Sequence, residues 1–455
     1  MSKFQTINPT TEEVLKEYTF LQPKAIDVAL EQASHAQKLW AKESVGARIK
    51  KLIGLKQLLC QRTEELAQLL TQELGKPIAQ SRGEVNKCSL LCDYYAENAE
   101  AFLAPDNIKT DFQLSQRTFA PMGLILGIMP WNYPYWQVFR YVIPNLMAGN
   151  GVVLKHAPNV TGCAIAMADL FKEAGFLPNL FLTLVIDVPD IAQVIHHPAV
   201  RGVTITGSER AGQSVAIESG RALKKVVLEL GGSDPYLILE DADIKLAAEA
   251  CVYSRLSNAG QVCIAAKRIL VHKKIEKEFT EHVMDLAKKY VFGDPRDEKT
   301  LMGPMARGDL RTMIHDQTQR SIKSGAVCLM GAKMPEGRGY FYPATVLNNV
   351  SADSPAFKEE LFGPIICITT VNSESEAITL ANQTKFGLGA GIFSKNIKHA
   401  QTIAQALDVG SCAINTYVAS NPSLPFGGTK QSGFGRELSM EGMREFVNIK
   451  TLTVR

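Results

Sequence analysis

A cysteine that follows a short glycine-containing turn is the first residue in this chain that could do chemistry. Cys263 ends the sequence SNAGQVC at 257–263, which comes directly after a helical pattern. A thiolate attacks electrophilic carbon, and an irregular turn can expose a cysteine to a substrate where a mid-helix position cannot. A buried structural thiol is the commoner explanation of this motif when it is considered alone.

A glutamate near the end of an apolar strand is the second candidate. Glu229 lies in the apolar run 225–230 and is followed by Gly231 and Gly232. Burial would raise the pKa of its carboxyl group, and a carboxyl group that titrates near neutrality suits a general base. The alternative is a solvated strand-end glutamate without a catalytic role.

An asparagine in a proline-containing loop is the third candidate. The sequence MPWNYP at 129–134 follows the predicted strand 123–129, and its two prolines restrict the backbone. The side-chain NH2 of Asn132 can donate a hydrogen bond to an oxyanion. The alternative is an ordinary turn asparagine packed among aromatic side chains.

A glycine and a serine at the start of a helix could receive a phosphate group. The sequence ITGSERAG at 205–212 follows a strand and opens a helix, the context in which helix N-termini bind phosphate. Taken alone, Gly207 and Ser208 more often mark a simple helix cap. The first lobe contains no GxGxxG between a strand and a helix, so the ordinary dinucleotide-binding fingerprint is missing.

The elements that must position these residues begin with a helical segment and continue as alternating strands and helices. Residues 27–42, 47–75 and 81–102 carry apolar side chains at spacings of three and four, which predicts helices. From residue 122 onward the alternation indicates a parallel sheet covered on both faces. The predicted strands are 123–129, 151–155, 180–186, 202–206 and 225–230, and the predicted helices are 160–174, 189–196 and 208–219.

A second alternating region covers about 234–420. Its predicted strands are 236–239, 268–271, 326–330, 365–371, 389–393 and 411–415, and its predicted helices are 244–256, 275–290, 307–323, 375–383 and 397–407. The Gly/Pro-rich stretch 331–343 is expected to form a surface loop or hairpin. The pattern predicts an α/β protein of two lobes with a site between them, near the carboxyl ends of parallel strands.

Composition limits the class of protein. The 455 residues suggest two or three domains, and a net charge of +3 is too small to favour nucleic acid or an anionic membrane as a partner. The N-terminus lacks the pattern of a signal peptide, and no apolar run is long enough for a membrane helix. The nine cysteines are odd in number and show no zinc spacing. We therefore expect a cytoplasmic protein without a metal site.

In combination and order, these motifs resemble the aldehyde dehydrogenase superfamily along essentially the whole chain. Within it the chain looks most like bacterial succinate-semialdehyde dehydrogenases of the shorter type, on the sequences WNYPYWQVFR at 131–140 and KHAPN at 155–159. The other matching motifs are INPT at 7–10, TGS at 206–208, ELGG at 229–232, GQVC at 260–263, EELFGP at 359–364 and PFGGTKQSG at 425–433.

The resemblance implies an oxidation of an aldehyde to a carboxylic acid through a thioester. Cys263 would be the nucleophile, and the Asn132 side chain with the Cys263 N–H would hold the oxyanion. Glu229 would activate the water that hydrolyses the thioester.

The resemblance also implies a nicotinamide cofactor. Lys155 would reach the adenosine ribose, Ser208 the pyrophosphate and Glu360 the nicotinamide ribose, while Phe362 packs beside the ring. NAD-selective relatives commonly have a glutamate three positions after the lysine, where this chain has Pro158, so we expect NADP to be accepted at least as well as NAD. The full set of expected cofactor-binding residues is Trp131, Asn132, Lys155, His156, Ala157, Pro158, Gly207, Ser208, Leu230, Glu360 and Phe362.

An arginine suggests that the small-molecule substrate carries a distal carboxylate, with succinate semialdehyde the leading candidate. Arg140 lies eight residues after Asn132, a little over two helical turns, and relatives that take uncharged aldehydes are commonly apolar or aromatic there. Ser420 could add a hydroxyl donor. Some similar enzymes have a second arginine at the position of Ser257, and whether Arg255 compensates is open. The alternative role of Arg140 is an interdomain salt bridge.

The family fold implies a Rossmann-like cofactor-binding domain of residues 1–102 and 122–231 and a catalytic domain of residues 232–445. A small β oligomerisation arm would consist of 103–121 and 446–455, and we expect a homodimer or homotetramer. Three other functions remain as alternatives. They are a cysteine-dependent esterase or thioesterase, an acylating dehydrogenase that passes the thioester to coenzyme A, and an inactive binding protein. The first would normally need a histidine beside the thiol, and the other two are disfavoured by Glu229 and the complete catalytic set.

Overall fold

Helices and strands alternate along most of the chain, and the structure, a computed structural model, describes residues 2–455. The elements of the first half are β1 (Lys3–Ile7), β2 (Val14–Thr19), α1 (Pro23–Trp40), α2 (Val45–Gln61), α3 (Thr63–Leu74), α4 (Ile78–Leu103), β3 (Asp106–Asn107), β4 (Leu114–Pro121), β5 (Leu124–Met129), α5 (Trp136–Met147), β6 (Gly151–His156), α6 (Thr161–Glu173), β7 (Phe181–Thr183), α7 (Ile191–His196), β8 (Val200–Thr206), α8 (Glu209–Arg221) and β9 (Lys225–Glu229). The elements of the second half are β10 (Pro235–Ile238), α9 (Ile244–Leu256), β11 (Arg268–His272), α10 (Glu276–Ala287), α11 (Gly308–Lys323), β12 (Val327–Met330), β13 (Thr345–Asn348), α12 (Pro355–Lys358), β14 (Ile365–Val371), α13 (Glu374–Asn382), β15 (Gly389–Phe393), α14 (Ile397–Gln405), β16 (Ser411–Ile414), β17 (Gly433–Phe434), α15 (Ser439–Arg444) and β18 (Val447–Val454).

The first lobe is built on a sheet of six strands in the order β17-β9-β8-β5-β6-β7. Its five long strands run parallel, and β5 lies between β6 and β8, so the chain winds in opposite directions on the two sides of β5. Loops that follow such neighbouring strands diverge and leave a crevice at the carboxyl end of the sheet. The segments after β5, β8 and β9, which contain Asn132, Ser208 and Glu229–Gly232, meet at this end.

The second lobe is built on a sheet of seven strands in the order β12-β13-β14-β11-β10-β15-β16, parallel except at β12. The expected α/β class with parallel sheets is confirmed. This lobe faces the crevice with the amino ends of its strands, since Cys263 precedes β11 and Glu360 precedes β14. The expectation that carboxyl ends form the site therefore holds for the first lobe only. The reason is that the chain passes from the end of β9 directly into β10 through 230–234.

Smaller sheets lie outside these two. The strands β3, β4 and β18 form an antiparallel sheet that joins the segments 103–121 and 446–455. The short strand β17 pairs with β9 of the first lobe, and Phe426, Leu438 and Met443 belong to the hydrophobic core that contains α4 and α5. The chain thus returns to the first lobe well before residue 445, where the predicted catalytic domain ends.

The structure differs from the sequence prediction at several elements. Residues 3–19 form the hairpin β1–β2, whose side chains are mostly exposed, so no buried face produced an alternating pattern. The predicted helix 47–75 is two helices, because the backbone leaves the helical region at Arg62. Strand β13 was not predicted. The end of α3 is fixed by Gly75, whose φ of 79° suits glycine and where a Cβ would lie 2.5 Å from Pro304.

Candidate active site

Two cavities meet at the side chain of Cys263. One, of about 220 Å³, is lined by Cys263 together with Lys87, Trp136, Gln137, Arg140, Tyr253, Tyr417 and Ser420. The other, of about 230 Å³, is lined by Cys263 together with Trp131, Asn132, Gly207, Ser208, Leu230, Glu360 and Phe362. The thiol can therefore be approached by different molecules from two sides. We call them the Arg140 cavity and the Ser208 cavity.

The turn before Cys263 is held in a left-handed backbone conformation. Asn258 and Ala259 have φ values of 51°, and Gly260 has a φ of 72°. A Cβ on Gly260 would lie 2.1 Å from the carbonyl oxygen of Gly363, so only glycine fits there. The Asn258 side chain donates to the Asn132 carbonyl oxygen at 2.9 Å. Such strained turns persist only where neighbouring contacts fix them, as they do here.

Arg255 holds the same turn through hydrogen bonds and does not line the Arg140 cavity. Its fully buried guanidinium donates to the carbonyl oxygens of Ile365, Gly260 and Leu361 at 2.5, 3.1 and 2.7 Å. Ser257 lines the Arg140 cavity, but Arg255 does not. Arg255 therefore does not compensate for the second arginine that is absent at position 257.

The Cys263 thiol is partly buried, and its environment disfavours the thiolate. Burial raises the pKa of Cys263 to about 11, although the charges of Lys267 and Arg140 act in the opposite direction. The ammonium group of Lys267 donates to the Cys263 carbonyl oxygen at 2.6 Å and to Glu360 at 2.8 Å. The resting residue is a protonated thiol at neutral pH, so its attack requires a base.

Hydrogen-bond donors beside the thiol are suited to an oxyanion. The Asn132 amide uses one hydrogen to bond the Gln261 carbonyl oxygen at 3.0 Å, which leaves the other free. Within residues 2–455, the backbone N–H of Cys263 makes no hydrogen bond. Asn132 itself is buried, so a donor that remains free there has little competition from solvent.

A buried ion pair, which sequence analysis missed, supports the loop that carries Asn132. Lys76 and Glu84 bond each other with both side chains 1% exposed. Lys76 also donates to the Asn132 carbonyl oxygen at 3.0 Å, and Glu84 accepts from the N–H groups of Tyr135 and Trp136 at 2.9 and 3.0 Å. Glu84 thereby satisfies the first N–H groups of α5. The available signal was that Glu84 shares a helix face with Ser81, Cys88 and Leu91 in the predicted helix 81–102.

Glu229 is buried, which excludes the solvated strand-end glutamate. Burial and the neighbouring Glu437 raise its pKa well above the usual range, and Arg140 partly offsets this. Neither carboxyl oxygen has a hydrogen-bond partner, and a Cβ on Gly427 would lie 2.7 Å from one of them. Glu229 lines neither cavity beside Cys263. The structure thus brings Glu229 next to Glu437 and Arg140, and its carboxyl group does not face either cavity at Cys263.

The Ser208 cavity contains polar groups that could bind a ligand with phosphate and hydroxyl groups. Ser208 caps α8, and its side chain accepts from the Ala211 N–H at 3.3 Å, while the N–H groups of Glu209 and Arg210 remain available for a phosphate. Thr206 presents a buried hydroxyl group without a partner at the cavity wall. Glu360 is held by Lys267, and a Cβ on Gly231 would lie 2.4 Å from its carboxylate. These features suit a dinucleotide. Thr206 was not among the predicted cofactor-binding residues.

Four of the predicted cofactor residues lie away from both cavities. Lys155, His156, Ala157 and Pro158 follow one another at the end of β6, and none of them lines either cavity. The His156 ring is buried, with Nε2 3.0 Å from the Pro134 carbonyl oxygen and Nδ1 accepting from the Ala157 N–H at 2.9 Å. Burial lowers the pKa of His156 to about 4, so the ring is neutral. The neutral His156 ring therefore carries no charge that would attract a 2′-phosphate.

Arg140 takes part in a salt bridge and also lines a cavity. It pairs with Glu437 at 2.8 Å, with both side chains at least 96% buried, and its guanidinium lies 4.7 Å from the Phe426 ring centroid. Its Nε has no partner. Ser420 accepts from the Trp136 indole N–H at 2.9 Å in the same cavity. The two expected roles of Arg140, salt bridge and cavity residue, are thus compatible.

Several side chains of the Arg140 cavity were not predicted. They come from segments distant in sequence, so only folding brings them together: Lys87, Gln137, Tyr253 and Tyr417.

None of the eight histidines lines either cavity. Within residues 2–455 there is no cluster of metal-binding side chains. No helix in that range is both long and apolar enough to cross a membrane.

Comparison with known proteins gives consistent matches over the whole chain. Residues 1–452 match the model of the aldehyde dehydrogenase family. A protein of Escherichia coli (strain K12) named succinate semialdehyde dehydrogenase, with NAD(P)+ in its name, is 44% identical over 98% of this chain and 97% of its own. A Deinococcus radiodurans succinate-semialdehyde dehydrogenase with NADP+ in its name is 43% identical over 98% of this chain and 94% of its own. The crystal structure of succinic semialdehyde dehydrogenase from Streptococcus pyogenes with NADP+ superposes with a TM-score of 0.97 at 37% identity, covering 99% of each chain.

Proposed function

The chain belongs to the aldehyde dehydrogenase family, and from this premise we propose that it oxidises an aldehyde with a distal carboxylate. The leading substrate is succinate semialdehyde, the product is succinate, and NADP or NAD is the oxidant. The names of the similar proteins from Escherichia coli and Deinococcus radiodurans support this choice.

One observation carries the proposal. The Arg140 cavity leads to the Cys263 thiol and is lined by a guanidinium and the Ser420 hydroxyl, while no aspartate or glutamate lines it. A guanidinium binds a carboxylate through parallel hydrogen bonds, and an apolar aldehyde would leave the unpartnered Nε of Arg140 without an acceptor. An aldehyde whose far end is a carboxylate can place its carbonyl carbon at the Cys263 thiol and its carboxylate at the Arg140 guanidinium.

The first half of the reaction uses Cys263 and Asn132. The thiol loses its proton to a base, and the sulfur forms a bond to the aldehyde carbon while the carbonyl oxygen takes the electron pair. The free hydrogen of the Asn132 amide and the Cys263 N–H bond this oxygen. A nicotinamide held beside Glu360 and Phe362 would supply the acceptor for the hydride that leaves the same carbon. A thioester on Cys263 remains.

The second half uses Glu229. Glu229 lines neither cavity, so we infer that a change of its side-chain torsions turns it towards Cys263, where its ionised form takes a proton from water. The water oxygen bonds the thioester carbon, the carbon–sulfur bond breaks, and the carboxylic acid leaves with the thiolate restored.

Cofactor binding uses the Ser208 cavity, with Ser208, Glu360 and Phe362 as its main contacts. The adenosine end would lie near Lys155 and Pro158, the positions that the family resemblance assigns to it. Because residue 158 carries no carboxylate, a 2′-phosphate meets no like charge there, and NADP should be used at least as well as NAD. A kcat/KM ratio that favours NAD by about a hundredfold would contradict this part.

The rival function of a cysteine hydrolase has less support, because no histidine lines the cavities at Cys263.

All nine cysteines are free thiols, which supports a reducing compartment such as the cytoplasm.

Replacement of Arg140 tests the proposal. We expect Arg140→Met to lower kcat/KM for succinate semialdehyde, because the substrate carboxylate loses its charged partner. The loss should correspond to about 2–4 kcal/mol of transition-state stabilisation. Pentanal, an uncharged aldehyde of similar length, serves as the control. Its kcat/KM should be unchanged or higher, which also shows that the variant folds although Glu437 has lost its ion pair. Equal losses with both aldehydes would overturn the assignment of the substrate class.

A further inference from the structure

A second cation lies in the wall of the Arg140 cavity. Lys87 is on α4, and its ammonium group bonds the Ser420 hydroxyl oxygen at 2.9 Å and lies 4.3 Å from the Trp136 ring centroid. A neighbouring hollow of about 440 Å³ shares Lys87, Tyr133, Trp136, Tyr253 and Ser257 with this cavity. Lys87 therefore lies where the two spaces join.

Lys87 has no anionic partner in the protein. Within residues 2–455, no carboxylate lies within ion-pair distance of its ammonium group. The nearby Glu84 is engaged by Lys76 and by the first N–H groups of α5. The other charge on the cavity wall is Arg140, which has the same sign. Two cations that face one partly dehydrated space repel each other, and an anion between them would remove that cost.

The hydrogen bonds of Ser420 make it a donor to the same space. Its oxygen accepts one hydrogen bond from Lys87 and another from the Trp136 indole N–H, both at 2.9 Å. Both acceptor positions are then used, so the hydroxyl hydrogen must point elsewhere, and the cavity is the space that Ser420 lines. Lys87, Ser420 and Arg140 together present donors without an acceptor.

We propose that Lys87 is a specificity-determining residue that binds the distal carboxylate of the substrate together with Arg140 and Ser420. This inference rests on the proposed function, since it requires an acidic aldehyde in the Arg140 cavity. Lys87 thereby supplies the second positive charge that is absent at Ser257. It comes from α4, whereas Ser257 follows α9.

The electrostatic environment of Lys87 agrees with this role. Burial and the charge of Arg140 lower the pKa of Lys87 to about 8, while Glu84 and the Cys88 thiol act in the opposite direction and Lys76 adds to the lowering. A bound carboxylate would favour the protonated amine, because an opposite charge at close range stabilises the charged form.

The test compares Lys87→Met and Lys87→Arg with the wild type on succinate semialdehyde and pentanal. We expect Lys87→Met to raise KM for succinate semialdehyde by about tenfold to a hundredfold, with a smaller change in kcat, since the lost contact is made far from the reacting carbon. Lys87→Arg should recover most of the loss because it restores the charge. With pentanal, neither variant should lose kcat/KM. Lys50→Met, which removes an exposed lysine from α2, is the matched control and should behave as wild type.

Inhibition by succinate gives a second measurement. With pentanal as the varied substrate, the inhibition constant for succinate should rise in Lys87→Met by a factor similar to that for KM. A wild-type enzyme that prefers pentanal to succinate semialdehyde would overturn the proposed function and this inference with it. A wild-type enzyme that prefers succinate semialdehyde, and a Lys87→Met variant that keeps the preference, would overturn only the role of Lys87. Equal losses on both aldehydes would show that Lys87 only holds Trp136 and Ser420 in place.

Discussion

At the scale of single residues, the reactivity of Cys263 is set by opposing influences. Burial disfavours the thiolate and outweighs the nearby charges of Lys267 and Arg140, so the thiol is protonated in the resting protein. The pKa of the Glu229 carboxyl group is also raised well above its usual range, because it is buried beside Glu437. Since the Cys263 thiol must lose its proton before it attacks, we expect the reaction to accelerate as the pH rises.

The pH dependence of alkylation tests the state of the Cys263 thiol. Because burial raises its pKa to about 11, the thiolate fraction grows with pH throughout the range in which the protein can be handled. We expect the rate of iodoacetamide labelling at Cys263, followed by peptide mass spectrometry, to rise by nearly tenfold per unit between about pH 7 and pH 9. A rate that levels off below about pH 8 would contradict the protonated resting state. Cys263→Ala should lose both this labelling and all dehydrogenase activity.

Replacement of Glu229 separates the two halves of the reaction. An amide cannot accept a proton from water, so Glu229→Gln should form the thioester and then stall. Rapid mixing should show a burst of NAD(P)H equal to the concentration of active sites, followed by very slow turnover. If no burst appears, Glu229 is needed earlier, to deprotonate the Cys263 thiol.

At the scale of elements, the position of Asn132 depends on the segment between β5 and α5. This loop has no strand or helix of its own, and the Lys76–Glu84 pair bonds its backbone at both ends. The pair joins the loop to α4, which also carries Lys87. The oxyanion donor and part of the Arg140 cavity are thus fixed by the same helix.

Removal of one member of this pair should be costly to stability. Lys76→Met leaves the Glu84 carboxylate buried without its partner, and such losses amount to about 3–5 kcal/mol. The measurement is the midpoint of guanidinium-induced unfolding, followed by tryptophan fluorescence. Lys56→Met, which breaks a partly exposed pair with Asp93 on α4, is the control and should cost at most about 1 kcal/mol.

A double variant checks the cause. In Lys76→Met/Glu84→Gln the buried charge is gone, so the protein should be more stable than Lys76→Met alone. An additive loss would mean that the two side chains contribute independently of each other.

At the scale of the whole molecule, the sheet of β3, β4 and β18 has an open edge. Strand β18 lies at this edge, and its residues after Val447 are exposed on both faces, including Ile449, Leu452 and Val454. An exposed edge strand of eight residues with apolar side chains is a template for another chain. We propose that this sheet forms the oligomer interface.

Charges on the β18 strand test that proposal. Ile449→Asp/Leu452→Asp should lower the molar mass in solution, because a carboxylate at each face of the strand would be desolvated by a partner. Light scattering coupled to size-exclusion chromatography measures the mass of the variant and of the wild type. An unchanged mass above that of the monomer would place the interface elsewhere.

Local motifs indicated the candidate reacting residues. The turn that exposes Cys263, the strand end that carries Glu229 and the proline-bounded loop around Asn132 are each encoded within a few neighbouring residues. The parallel strands β5, β6 and β8 were equally visible, since a strand buried on both faces is a continuous apolar run. The hairpin β1–β2 was not, because its exposed side chains carry no such pattern.

The sequence by itself determined the α/β class and the family and indicated Cys263 as the candidate nucleophile, because these depend on short segments and on their order. Only the tertiary structure decided that Glu229 lies against Glu437 and that His156 is neutral and turned away from the cavities. It also assigned Arg255 to the Cys263 turn and brought Lys87 to Ser420. Burial, ionisation and contacts between residues hundreds of positions apart arise from packing, and no local pattern of amino acids encodes them.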